Sequence, residues 1–244
     1  MVSAINLSVF QEGIIIDTNP STIILYLTTA TTVFTIVPIS LQNPNFRILS
    51  KLYFIFSGST FSTYTNWELI IVDDCSSDNT DEVVASFKDK RIKYLHNEKN
   101  SGAALTRKKA LREAKGEWIA FLDSDDLWMP EKLEHQIDFM NKNGYSLSFT
   151  EYEKIDEDSK PLNIYVSGPD KVNKRKMYNY DYIGQLTMMY NAKVFGLIQI
   201  KDIKKNNDYA IRLQLYKKPD TCAYLLKENL AKYRVRKVSI SHDK

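Results

Sequence analysis

Two apolar runs that each open into a cluster of carboxylates constrain this chain more than any other feature. Trp118-Ile-Ala-Phe-Leu122 ends in Asp123, Asp125 and Asp126, and Glu68-Leu-Ile-Ile-Val72 ends in Asp73 and Asp74. Short apolar runs without alternation suit strands covered on both faces. Three carboxylates at the mouth of a buried strand repel one another and resist desolvation. A strand-to-helix turn with an Asp cap explains one of them and leaves two over. A divalent cation with a phosphate ligand resolves the repulsion, because hard cations bind one or two carboxylates and complete their shell with water and phosphate oxygens.

The segments around these runs alternate. Asp81 to Phe87 reads as a helix with acidic residues in its first turn, favourable toward the helix dipole. Arg91 to Leu95 reads as a strand, and Asn97-Glu-Lys-Asn-Ser-Gly102 as a polar turn. A helix from Ala103 to Ala114 carries Arg107, Lys108, Lys109 and Arg112. After the acidic triplet come a helix, Glu131 to Asn143, and a strand, Ser146 to Thr150. Such alternation predicts an α/β fold with a mostly parallel sheet flanked by helices. Ligands of these sheets bind beyond the carboxyl ends of the strands, so both acidic clusters should face one crevice.

Asn66-Trp-Glu-Leu-Ile-Ile-Val-Asp-Asp-Cys-Ser-Ser-Asp-Asn-Thr80, Asn100-Ser-Gly102 with Arg107, and Gly116-Glu-Trp-Ile-Ala-Phe-Leu-Asp-Ser-Asp-Asp126 together resemble family 2 glycosyltransferases of the GT-A fold. The resemblance runs from about Thr65 to about Glu157. It resumes more faintly at Thr187-Met-Met-Tyr190, Asn207-Asp208-Tyr209 and Tyr233-Arg-Val-Arg236. It implies an inverting transfer from a nucleotide-sugar donor, with Mg2+ or Mn2+ as cofactor and a glycan or lipid-linked acceptor. By the same resemblance Asp74 pairs with the nucleotide base, with Asp73 as neighbour or Asx-turn residue. Asp123-Ser124-Asp125 matches the Asp-x-Asp motif: Asp125 holds the metal, and Asp123 reaches the ribose or a metal-bound water. Arg107 matches an arginine near the nucleotide, although the usual Ala-Arg-Asn is here Thr106-Arg107-Lys108. Lys108, Lys109 and Arg112 read as a solvated helix face, and Asp126 as the cap of the next helix.

An inverting transfer also needs a base for the acceptor hydroxyl. The resemblance assigns that role to Asp208, which precedes the amphipathic Tyr209-Ala-Ile-Arg-Leu-Gln-Leu-Tyr216; read from the residues alone, Asp208 is an ordinary helix cap. Arg212 stands where relatives often carry a large aromatic residue. Arg234 and Arg236 resemble a segment that closes over the diphosphate, since guanidinium suits bidentate oxyanion contacts, and a solvated basic tail is the alternative. Relatives often have His at the position of Arg236.

Composition agrees with one α/β unit plus appendages: 244 residues, 43% hydrophobic. Three regions are expected: 1–66, an atypical N-terminal segment; 67–157, the nucleotide-sugar-binding core; and 158–244, the acceptor side. A net charge of +3 argues against a nucleic-acid partner and is compatible with loose contact at an anionic membrane. Cys75 and Cys222 give no disulfide framework, which points to the cytoplasm, with the inner face of the cell membrane as the place of any contact. His96, His135 and His242 show no metal-ligand spacing.

Thr18 to Phe46 contains no charged side chain, yet its threonines and Pro38 make it too polar for a confident membrane span. The family would place its first strand in this region, and Val33 to Val37 is the expected supplier. The Pro-Thr-Tyr-Asn-like turn that would follow is replaced by Ile39-Ser-Leu-Gln-Asn43. Two functions follow: a glycosyltransferase of cell-surface polysaccharide synthesis, favoured by Asp74, Asp123, Asp125 and Asp208, or a catalytically impaired relative that binds nucleotide sugar or serves as an interaction domain, favoured by the N-terminus.

Overall fold

The computed structural model describes the backbone of Ile23–Thr29 and residues 63–123, 125–198 and 207–236. Among these residues ten strands form one sheet: β1 (Ile23–Thr29), β2 (Trp67–Asp73), β3 (Ile92–His96), β4 (Trp118–Asp123), β5 (Leu127–Trp128), β6 (Leu147–Ile155), β7 (Pro161–Val166), β8 (Lys171–Asn173), β9 (Met189–Asn191) and β10 (Cys222–Arg234). The helices are α1 (Thr80–Ser86), α2 (Gly102–Glu113), α3 (Lys132–Asn143), α4 (Lys174–Asn179), α5 (Ala192–Phe195) and α6 (Asn207–Leu215), with a 3-10 turn at Gln185–Thr187.

The strand order is β3-β2-β1-β4-β9-β6-β10-β5, with β7 on β6 and β8 on β10. The first four strands are parallel. β9 runs against both β4 and β6, so the sheet beyond β4 is mixed. The chain winds outward from β1 through β2 to β3 and then returns to place β4 on the other side of β1. That reversal makes a topological switch point, where α/β sheets bind ligands. In register, Asp73 lies opposite Thr29 and Asp123 opposite Thr28, so the two acidic ends straddle the end of β1.

The parallel strands are apolar throughout because both faces are covered. Ile70, Val72, Ile119 and Phe121 pack with Ala104, Ala110 and Leu111 of α2 and with Ile211 and Leu215 of α6. Alternate residues Leu69, Ile71, Ala120 and Leu122 pack on the other face with Val83 and Val84 of α1 and with Leu133, Ile137 and Met140 of α3. Each strand thus fixes one helix layer on either face, and only its carboxyl end is left for chemistry.

Two expectations are corrected. The first strand is Ile23–Thr29, upstream of Val33 to Val37, which lies outside the described residues. Ile-Ile-Leu-Tyr-Leu is the more uninterrupted apolar run, as a central parallel strand requires. Asp126 does not cap α3. The N-cap position belongs to Glu131, while Asp126 accepts a hydrogen bond from the Arg234 backbone at the end of β10.

Candidate active site

Just past β2, Asp73 and Asp74 turn in different directions. Asp73 closes a local turn, accepting from the backbone N–H of Ser76 at 3.0 Å and from its hydroxyl. Asp74 is fully buried and reaches across to the start of α2. Its Oδ1 accepts from Asn97 Nδ2 at 2.8 Å and from the Ser101 N–H at 2.7 Å; its Oδ2 accepts from the Gly102 N–H at 2.8 Å. Gly102 has φ +78°, a left-handed conformation that L side chains rarely adopt, and this turns its N–H toward the carboxylate. A carboxylate at a helix N-terminus is favoured by the helix dipole as well as by these donors.

The acidic loop after β4 is held by arginines. Arg107, buried in α2, pairs with Asp123, and Arg236 pairs with Asp125 at 2.8 Å. Arg234 donates from Nε to the Asp125 carbonyl at 2.7 Å and from Nη1 to the carbonyls of Asp156 and Glu157 and the Ser159 hydroxyl. These bonds make Arg234 the clamp of the loop. Burial pushes the Asp125 carboxyl above the ordinary carboxylate range; Arg236 pulls it back, and Asp123 adds to the push. Burial, Asp125 and Asp123 push Asp126 well above that range. Ser124 lies outside the described residues.

Asp208 approaches from the first turn of α6, and α6 packs on α2. Arg107 ties the two sides together. Burial alone would weaken its hold on its proton, but Asp123, Asp208 and Asp125 together reverse that and raise its pKa. Burial raises the pKa of Asp208, whereas Arg212 and Arg107 lower it by more, leaving an ionised carboxylate at neutral pH. Asp123, Asp125, Arg107, Asp208 and Arg236 thus belong to one electrostatic neighbourhood. Asp73 and Asp74 line its other shore, beyond the end of β1.

Several partners were invisible in the sequence. Asp181 and Gln185 both bind Arg212. Tyr152 and Tyr233, with rings 6.1 Å apart, flank the acidic loop, and burial followed by Asp126 and Asp125 pushes Tyr233 up to about 12. His96 sits with Asp73 and Asp81 as a set of potential metal ligands, a grouping made by β2, α1 and β3 and unmarked by any sequence spacing. Cys75 and Cys222 are free thiols, as expected. Among the described residues no helix is long and apolar enough to cross a membrane.

The sequence profile of the family described as glycosyl transferase family 2 matches residues 52–206, more than half of the chain. The chain belongs to glycosyl transferase family 2. Among relatives of this transferase, a putative teichuronic acid biosynthesis glycosyltransferase of Bacillus subtilis is 41% identical over 184 residues, covering 75% of this chain and 73% of the relative. A UDP-Glc:alpha-D-GlcNAc-diphosphoundecaprenol beta-1,3-glucosyltransferase of Escherichia coli is 37% identical over 206 residues, covering 84% and 80%. The fold of the transferase is that of S. aureus TarS, crystallised with UDP-GlcNAc: TM-score 0.69 at 17% identity, over 91% of this chain and 61% of that one. A Pyrobaculum calidifontis mannosyltransferase in complex with GDP-Man and Mn2+ gives a TM-score of 0.62 at 16% identity, over 90% and 59%. The transferase therefore spans less than two thirds of these solved chains, and the likeness establishes its GT-A fold.

Proposed function

We propose that this family 2 transferase moves a sugar from a UDP-sugar donor to a lipid-linked glycan acceptor, with inversion, in cell-surface polysaccharide synthesis. One observation carries the reading: Arg107 of α2 pairs with Asp123, and α2 packs on α6, which bears Asp208, so the donor-side carboxylates and a candidate base converge on one arginine. The donor and acceptor classes follow the relatives, one named for a UDP-Glc donor and a diphosphoundecaprenol-linked acceptor and another for teichuronic acid synthesis.

The crevice fits a divalent cation. Asp125 is pushed toward protonation by burial and by Asp123, a conflict that added positive charge relieves. Asp125 and Asp123 would hold the ion, which when bound supplies charge neutralisation for a departing diphosphate. Arg236, paired with Asp125 at 2.8 Å, is placed to turn to a phosphate oxygen once that carboxylate takes another cation. Asp74 fixes the start of α2, and Asp73 the turn beside it, at the rim where a nucleotide base would lie. Asp208 takes the proton of the acceptor hydroxyl as its oxygen attacks the anomeric carbon and the nucleoside diphosphate leaves from the opposite face.

Donor hydrolysis across a panel of nucleotide sugars with Mn2+ tests the reading. UDP release from one or more UDP-sugars, abolished in Asp125→Asn, supports it. Binding of UDP without turnover of any donor would leave the chain a nucleotide-sugar binder and overturn the transferase mechanism.

A further inference from the structure

Arg212 is the largest fully buried side chain among the described residues, and it lies one helical turn after Asp208 on the same face of α6. A buried guanidinium is costly unless it is both charge-paired and hydrogen-bonded. Here Nη1 donates to Gln185 Oε1 at 2.9 Å, and Nη2 is shared between Asp181 Oδ2 and Asp208 Oδ2, the latter at 3.4 Å. The Tyr209 ring lies 5.9 Å from the guanidinium carbon. Arg212 therefore bolts the first turn of α6 to the 181–185 segment. No simple packing role explains a cation with two carboxylate partners at the back of an acidic crevice.

We infer that Arg212 is a positioning residue that fixes the rotamer and ionisation of Asp208, with Asp181 as the competing counter-ion that sets how firmly it does so. The inference rests on Asp208 being the base. With Oδ2 held against Arg212, the acceptor proton is taken at Oδ1. The balance is adjustable because one nitrogen serves both carboxylates: weakening the Asp181 contact delivers more of the guanidinium to Asp208. From the packed helix α2, Arg107 also lowers the Asp208 pKa, and its own field is divided among Asp123, Asp208 and Asp125. Arg212 acts on Asp208 from its own helix, and Asp181 acts through Arg212.

The arrangement predicts opposite signs for two variants, which a purely structural role would not give. In Arg212→Gln, the acid limb of kcat for donor hydrolysis should move up by about one pH unit, lowering turnover roughly tenfold at pH values below the limb, while donor KM changes less than about twofold. In Asp181→Asn the same limb should move down. Arg212→Lys keeps the charge and should hold the limb near its original position, which keeps the test available if the Gln variant does not fold. Carbon-13 NMR of labelled aspartates, with Asp208 assigned by its loss in Asp208→Asn, reads the same carboxyl without relying on turnover. Limb and resonance moving in the same direction in Arg212→Gln and Asp181→Asn, or in neither, would overturn the inference. If Asp208→Asn retains turnover while the resonance still moves with opposite signs, the base reading fails and the clamp stands.

Discussion

Asp74 and Asp125 stand just past β2 and β4, on either side of the same central strand, and their surroundings could hardly differ more. Asp74 receives three neutral donors, two from backbone and one from an amide, and is sealed beneath the start of a helix. Asp125 is crowded by other carboxylates and compensated by a guanidinium. Neutral donors occupy lone pairs in fixed directions and leave a carboxylate with a mechanical job. A cationic partner is exchangeable for another cation, which suits Asp125 to the metal role proposed for it. The kind of partner separates two carboxylates that both follow an apolar strand.

The largest test of this contrast is Asp74→Ala. Three buried donors at the head of α2 would lose their acceptor, and unfolding free energy should fall by about 3–5 kcal/mol in chemical denaturation. A loss below about 1 kcal/mol would show that water replaces the carboxylate and that Asp74 is no anchor. On the other shore, Asp208→Asn should lower turnover roughly a hundredfold or more, the scale of a general base, with UDP affinity unchanged by calorimetry. Near wild-type turnover would reduce Asp208 to a helix-end residue.

A smaller effect is expected from metal removal. UDP should bind at least about tenfold more tightly with Mn2+ than in EDTA, and Asp125→Asn should erase the difference. Equal affinities would place the exchangeable cation on Arg236 alone. The smallest effect concerns Lys132, fully buried on α3, where burial lowers its pKa to about 7. The folded amine gives up its proton near that pH and the unfolded one near 10.5, so between them the unfolded chain binds more protons and stability climbs with pH. Lys132→Met removes the cost of a buried ammonium. It should raise the melting temperature most at pH 6, with the gain shrinking by pH 9. A pH-independent shift would mean that the buried amine keeps its proton across this range, as the unfolded one does.

The parallel strands β2 to β4 were legible in the sequence because their signals are local. An unbroken apolar run such as Leu69 to Val72 announces a doubly covered strand without any alternation to help, and a polar turn after it marks the carboxyl end. The chain beyond β6 was legible only in fragments. Asp181 and Gln185 become partners of Arg212 through packing between segments about thirty residues apart, which no spacing reports. Asp126 looked like a cap because it precedes a helix closely, but a buried N–H from Arg234 competes for the same carboxylate and wins. Arg234, which reads equally well as part of a solvated tail, ends a thirteen-residue strand in the middle of the fold. The first strand was misplaced because Ile23 to Leu27 and Val33 to Val37 are both short apolar runs, and pairing with β2 and β4 selects the one without an interrupting threonine.

The bond from Arg234 to the Asp125 carbonyl joins residues 109 positions apart. A chain growing from the ribosome exposes its acidic triplet long before the arginine that shapes the loop has been translated. At that stage the loop of Asp123, Asp125 and Asp126 lacks the backbone contacts that Arg234 supplies. Docking of β10 supplies the clamp. Nascent chains halted before residue 234 therefore lack the bond that fixes the Asp125 backbone, however much of the parallel sheet has been synthesised.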